Sequence, residues 1–361
     1  MLVKISLQHF RNHSETECVI DSPCTVISGL NGSGKTSILE AIYILSMGRS
    51  FRTNSDKKLL QFEKPFWAVS GDIQEDKKKE VIRVAYSESS GKKLWYQHRP
   101  VEKLSQFIGN QLSIALLPDK AELITGPALE RRTFLDSFLC QESIRYLECL
   151  TQYQAALKQR NRLLNNPQTT NEYLSVWETQ MAVSAEFVIK KRKLFVQAIA
   201  PFFQEYFRQF GHYLQTELIY YQQQNTDTQE DLKKLWEKSR QRDFQLGYTS
   251  FGPHRDDLEI RAKNQLLKDI GSQGQIHSAA IALYIGIIGY QENTQTAPLW
   301  LLLDDLFDKI DPLREQIICQ MLLSFKRVQA FITDSQAERC RHIARQLRAS
   351  LWNVEAGRIL D

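Results

Sequence analysis

The sequence predicts an α/β fold interrupted by a short inserted pair of helices, antiparallel and coiled-coil-like. Three observations predict it. A strand pattern at residues 24–28 passes through a glycine-rich loop into a helical pattern from Lys35. Strand and helix patterns alternate again after about residue 245 and include an apolar strand at 299–303 ending in Asp304. Between about 127 and 240, strand signals nearly vanish and apolar residues recur at helical spacings. One lobe is therefore expected to be assembled from both chain ends, 1–126 and 246–361, with 127–245 inserted as a helical lobe.

The elements follow in order. Residues 2–7 alternate like a strand, and the helix from Lys35 carries Ile38, Leu39, Ile42 and Leu45 before Gly48 stops it. Strand-like runs at 66–73, 81–86, 93–97 and 112–117, parted by charged or Gly-containing turns, predict an antiparallel sheet beside the glycine loop. In the insertion, Tyr146, Leu150, Tyr153, Leu157 and Leu164 form one apolar seam, and Val176, Val183, Phe187 and Leu194 a second. Asn165, Asn166 and Pro167 reverse the chain between them, so the seams should face each other. Helices of about 25–30 residues reach only about 40–45 Å, which makes a stub rather than a tether. Strands at 258–262 and 328–333 and a helix from Ser272 complete the lobe.

Composition bounds the function. A chain of 361 residues with 42% hydrophobic content can bury one large or two moderate cores. Its net charge of +4 is too small to signal a nucleic-acid partner, so any such contact must come from local patches. The six cysteines show no CxxC pair and no neighbouring His at zinc spacing, and they read as reduced thiols of a cytoplasmic protein. The N-terminus has no signal-peptide pattern, and the longest apolar run, 279–290, is too short to cross a bilayer. A buried helix explains that run, and no membrane association is expected.

Gly29, Leu30, Asn31, Gly32, Ser33, Gly34, Lys35 and Thr36 match the P-loop pattern in full, between a strand and a helix as the pattern requires. Glycines let successive N–H groups curl around phosphate oxygens, and the helix N-terminus adds its dipole. Lys35 reaches the β and γ phosphates of ATP, and the Thr36 hydroxyl ligates Mg²⁺. The strand at 299–303 then delivers two carboxylates, Asp304 for the Mg²⁺ shell and Asp305 where it can orient the attacking water. Taken alone, such a strand also fits a solvated acidic turn; the P-loop upstream favours the catalytic reading.

Ser272, Gln273, Gly274 and Gln275 open a helix in a segment similar to the signature of ABC-type ATPases. In that family the Ser and Gly contact the γ-phosphate held by the opposite subunit of a head-to-tail dimer, and Ser272 also reads as a plain helix N-cap. Asp308, Lys309, Ile310 and Asp311 look like the family's D-loop. With its four motifs in order, the chain resembles a P-loop ABC-type ATPase head of the chromosome-maintenance branch. The resemblance narrows to the RecF family on Gly48 to Thr53, on Leu117, Pro118 and Asp119, on Arg131 to Asp136, and on Gly252 to Leu258.

That resemblance implies a slow ATPase whose ATP-dependent homodimer binds DNA, especially duplex beside a single-stranded gap, and works with RecO and RecR to help load RecA. It also implies nucleotide-phosphate contacts for Arg11 and Asn12. Residues 151–210 supply candidate DNA contacts: Lys158, Arg160, Arg162, Lys190, Lys191, Arg192, Lys193 and Arg208, a surplus of four over the acidic residues there. A solvated basic helix face is the alternative. His254 and Arg255 fit either a brace on the nucleotide or dimer, or an ion pair of Arg255 with Asp256 or Asp257. Five residues at three places bear on the catalytic reading. Ile276 and His277 replace a basic residue after the signature, and Thr333 and Asp334 stand where transport relatives place a switch His. Asp305 is one methylene shorter than the Glu of many ABC relatives, which predicts turnover on the order of minutes per ATP. A transport-type ATPase subunit and a non-hydrolysing, ATP-glued scaffold are the competing readings.

Overall fold

The computed structural model describes all residues except 76–77, 119–120, 212–213, 295–297, 309 and 361. The chain divides into two compact units, Met1–Asp119 with Gln291–Asp361, and Lys120–Tyr290.

The first unit holds two six-stranded sheets. One is antiparallel, in the order His13–Val19, Leu2–Phe10, Phe66–Glu75, Lys78–Ser87, Gly91–Tyr96, Arg99–Val101. The other runs Arg358–Leu360, Ser350–Glu355, Cys24–Ser28, Val328–Asp334, Leu299–Leu303, Leu112–Leu116, and only its first pair is antiparallel. The helix Lys35–Met47 is buried at every residue but Thr36, as suits a helix apolar on all sides. Its side chains share one core with Ile5 and Trp67 of the first sheet and Trp300 and Phe331 of the second. The buried amide of Gln329 ties the sheets, accepting from the Leu2 N–H at 2.7 Å and donating to its carbonyl at 2.8 Å.

The run at 112–117 was expected in the antiparallel sheet and lies in the parallel one, beside Leu299–Leu303. Its residues are buried on both faces, the mark of a parallel strand, whereas a half-exposed antiparallel strand would alternate. Pattern reading passes over the strand His13–Val19, whose polar residues alternate outward, and the short C-terminal hairpin Ser350–Leu360.

In the second unit the helices Ile144–Leu164 and Asn171–Gln209 pack together across the predicted reversal. With the helix Gln229–Leu246 they bury Tyr153, Ala156, Met181, Ala185, Leu232 and Trp236. The first seam is correct, but the second is not. Val176, Val183 and Leu194 are 65%, 54% and 52% exposed, while Leu174, Met181, Ala185 and Val188 face inward. A 39-residue helix with apolar residues on two faces offers two candidate stripes, and contact with the neighbouring helices selects the one that carries Leu174, Met181, Ala185 and Val188. The strand Thr216–Tyr221 pairs with Asp257–Ala262, so this unit continues past 245 and takes in most of the helix Gln273–Thr294. Among the described residues no helix is long and apolar enough to cross a membrane.

Candidate nucleotide site

The strand Cys24–Ser28 delivers the glycine loop at the edge where the parallel strands end, the usual ligand edge of such sheets. Close packing explains two of its glycines. A Cβ on Gly29 would lie 2.4 Å from the Val354 carbonyl oxygen. Gly34, with φ 117°, would press one within 2.7 Å of His13 Nε2. The loop is braced from outside by Asn12 Nδ2 and the Gly357 N–H, which donate to the Ser33 carbonyl at 2.9 and 2.8 Å. Lys35 is buried inside it, its Nζ donating to the carbonyls of Gly29 and Leu30 at 2.7 and 3.0 Å.

Two strands away, Leu299–Leu303 brings the paired carboxylates to the same edge. Asp304 Oδ1 accepts from the Thr36 hydroxyl at 2.8 Å and from the Thr333 hydroxyl at 2.7 Å. Thr333 in turn accepts from the Asp305 N–H at 3.0 Å. Thr333 is thus a site residue to which sequence reading assigned no role; its signal was its place at the end of the strand next to Asp304. Its neighbour Asp334 is structural, fully buried against Arg339 at 2.7 Å.

Asp305 stands apart. Its φ of 44° is unusual for a residue with a side chain, and its Oδ1 is buried without a hydrogen-bond partner. Burial pushes its carboxyl above the usual range, and the charges of Asp304, Asp334 and Asp308 push the same way against Lys35. Such a carboxylate is a better proton acceptor than a solvated one. Thr36 and Asp304 are hard oxygen donors within hydrogen-bond reach of each other, a pair that fits Mg²⁺ once nucleotide phosphates supply the remaining ligands. No group of three or more His, Cys, Asp or Glu among the described residues is set to hold a metal alone. The cleft, about 450 Å³, is further lined by Arg11, Asn12, Arg52 and Lys58. Sequence reading named the first two; Arg52 lies in the segment from Gly48 to Thr53 that it singled out without assigning a role.

The other predicted residues fall elsewhere. In the second unit Ser272 and Gln275 cap their helix reciprocally, Ser272 N–H to Gln275 Oε1 at 2.9 Å and Gln275 N–H to Ser272 Oγ at 3.3 Å. Ser272 and Gln273 are exposed and Gly274 partly so, leaving that helix start open to an anion. Asp308 is exposed, Lys309 lies outside the described residues, and Asp311 N-caps the helix Pro312–Ser324 by accepting from the Arg314 N–H at 3.0 Å. Of the Leu117, Pro118, Asp119 segment, Asp119 also lies outside the described residues.

Two of the DNA-facing candidates are corrected. Arg160 is fully buried between Glu178 and Asp243, at 3.0 and 2.8 Å. Arg192, 2% exposed, pairs with Asp136 at 2.8 Å and donates to the Pro253 carbonyl. Neither reaches solvent, because both lie on the inner faces of their helices. Lys158, Arg162, Lys190 and Arg208 are exposed, Lys191 is partly so over the Phe187 ring, and Lys193 pairs with Asp227. His254 is likewise corrected, and for Arg255 the ion-pair alternative falls while its side chain stays exposed. His254 Nε2–H donates to the Thr249 carbonyl at 3.0 Å, so its Nδ1 accepts from the Tyr153 hydroxyl at 2.6 Å. Burial lowers its pKa to about 4, and the ring stays neutral. Arg255 pairs with neither following Asp and lies over Tyr248 at 4.7 Å. Asp257 instead takes Arg131 through two bonds of 2.6 and 2.9 Å, and Arg132 donates to the Asp256 carbonyl. The Arg131–Asp136 and Gly252–Leu258 segments therefore bind each other.

Comparison with known proteins agrees with this fold. A family model described as an AAA domain matches residues 4–287. The "DNA replication and repair protein RecF" of Leptospira interrogans serogroup Icterohaemorrhagiae serovar Lai is 32% identical over 340 residues, 93% of this chain and 92% of its own. That of Parabacteroides distasonis is 32% identical over 362 residues, 99% and 98% of the two chains. Among solved structures, "the recombination mediator protein RecF-ATPrS in RecFOR pathway" aligns with a TM-score of 0.89 at 25% identity, covering 99% of this chain and 97% of that one. An Smc head bound to the C-winged helix domain of ScpA shares the fold, with a TM-score of 0.59 at 16% identity over 99% and 96%.

Proposed function

The chain belongs to the RecF family, and on that premise we propose that it is an ATP-hydrolysing DNA-binding protein of recombinational repair and replication restart. ATP closes two copies head to tail, the closed homodimer holds gapped duplex DNA, and slow hydrolysis releases it. With RecR and RecO it helps load RecA at the gap. The observation that carries this reading is the convergence of Thr36, Asp304, Thr333 and Asp305 on the strand ends beside the glycine loop. Those residues would hold Mg²⁺ through Thr36 and Asp304, and the ion would neutralise charge between the β and γ phosphates. Lys35 binds the same phosphates. Asp305, its carboxyl held basic by burial, accepts the proton of the attacking water. The exposed Ser272 helix start supports a γ-phosphate contact across the dimer. Exposed Lys158, Arg162 and Lys190, with the partly exposed Lys191, support phosphate-backbone binding without base reading.

The test is fluorescence anisotropy of a labelled gapped duplex, with and without Mg-ATP, for the protein and for Lys35→Met. Tight binding only with ATP, lost in the variant, is expected. Binding indifferent to ATP would give the glycine loop another output. Replacing Asp305 by Asn separates the timer from a static scaffold: DNA release should slow, and unchanged release would favour the scaffold.

A further inference from the structure

A single buried carboxylate holds two of the arginines that line the nucleotide cleft. Glu40 lies on the helix Lys35–Met47, with a side chain 0% exposed. A carboxylate so far from water requires charged and hydrogen-bonded partners, and Glu40 has them on two sides. On one side Arg11 donates from Nε to Oε2 at 2.8 Å and from Nη2 to Oε1 at 2.7 Å, a two-point fork. Its Nη1 donates to the Lys58 carbonyl at 2.9 Å. Two of its five N–H groups remain for a ligand. The Arg11 backbone sits at φ 55°, a conformation that persists only where its surroundings enforce it, and its N–H is fixed on the Leu59 carbonyl at 2.7 Å.

On the other side the Ser50 hydroxyl donates to Glu40 Oε1. Ser50 Oγ in turn accepts from the N–H groups of Arg52 and Thr53 at 2.8 and 3.0 Å, which fixes the turn carrying Arg52. The Arg52 guanidinium stands 4.0 Å from Glu40 Oε2, with its side chain 49% exposed.

We infer that Glu40 and Ser50 are positioning residues for the nucleotide: they hold Arg11 and Arg52 as a preformed pair of guanidiniums for its phosphates. Neither touches the ligand. A planar fork held in place binds phosphate with little further ordering, and releasing it returns both side chains to solvent and to many rotamers. The inference rests on the cleft being the ATP site.

The experiment uses the full chain with Mg²⁺ and a ribose-labelled methylanthraniloyl ATP, alongside steady-state hydrolysis of ATP. Variants are Glu40→Gln, Ser50→Ala, Arg11→Ala, Arg52→Ala, and the pairs Glu40→Gln with Arg11→Ala and Ser50→Ala with Arg52→Ala. Loss of the Glu40 charge is expected to weaken binding and raise KM roughly tenfold while kcat changes by less than about threefold. In the Arg11→Ala background the same change should add only about threefold, because the share that runs through Arg11 is already lost and only the share through Arg52 remains. If Glu40→Gln melts early, the Ser50 and Arg52 pair carries the same logic without removing a buried charge. Unchanged KM in Glu40→Gln, or losses that multiply in both pairs, overturns the inference. Lys35→Met separates the two levels. If it binds the labelled ATP as well as the parent, the site assignment itself falls; if it loses binding while Glu40→Gln keeps it, only the positioning role falls.

Discussion

In the proposed function Asp305 concentrates the chemistry of the cleft at one side chain. Because burial and the neighbouring Asp304 charge hold its carboxyl above the ordinary range, hydrolysis should fail on acidification at a higher pH than a solvated Asp would allow. Asp305→Asn should lower kcat by about 100-fold or more while ATP still binds, as read by phosphate release beside nucleotide titration. A pair in the second unit sets opposing slopes of stability with pH. His254 is held at about 4, below its ordinary 6.5, so its contribution is complete above about 6.5 and lost as pH falls toward 4. Asp256 is raised by burial to about 6 from 3.8, so its contribution is complete below about 4 and lost as pH rises through 6. Replacing Asp256 by Asn removes the counter-slope. The melting temperature of that variant should drop more steeply than the parent's between pH 6.5 and 4, and parallel curves would count against the assignment.

The helices of the second unit are joined by buried ion pairs as well as by apolar packing. Arg160 with Glu178 and Asp243, and Arg192 with Asp136, stand inside the unit with their hydrogen bonds satisfied. Truncating one partner leaves a charge buried alone, so Arg192→Met or Arg160→Met should destabilise the fold by about 3–5 kcal/mol. Thermal or urea unfolding measures it, and a loss below about 1 kcal/mol would show the pairs to be dispensable. The outward basic residues of the same helices should behave differently. Changing Lys158, Arg162, Lys190 and Lys191 to Ala should leave melting unchanged, weaken DNA binding and flatten its dependence on salt, each lost phosphate contact removing about 0.9 from the log–log slope. The helical spacing that exposes Lys158 buries Arg160, and composition treats the two alike.

For the whole molecule, the proposed function joins the glycine loop of one copy to the signature-like segment of another. Sedimentation should show a monomer without nucleotide, a dimer with Mg-ATP, and a Lys35→Met variant that stays monomeric throughout; an ATP-independent dimer would break the coupling. Steady-state turnover should be on the order of minutes per ATP, and a rate above a few per second would contradict the short reach of Asp305. The residue order by itself determined the glycine loop, the paired carboxylates and the capped signature helix. Each is a local pattern whose chemistry is complete within about ten residues of chain. Tertiary structure alone decided the rest. It set Thr333 between Asp304 and Asp305, gave Arg11 and Arg52 to Glu40, put the run at 112–116 in the parallel sheet, and took Arg160 and Arg192 out of solvent. The physical reason is the same in each case: which partner a side chain meets depends on contacts between residues far apart in the chain, and a charge or an apolar stripe carries no mark of whether packing will turn it inward.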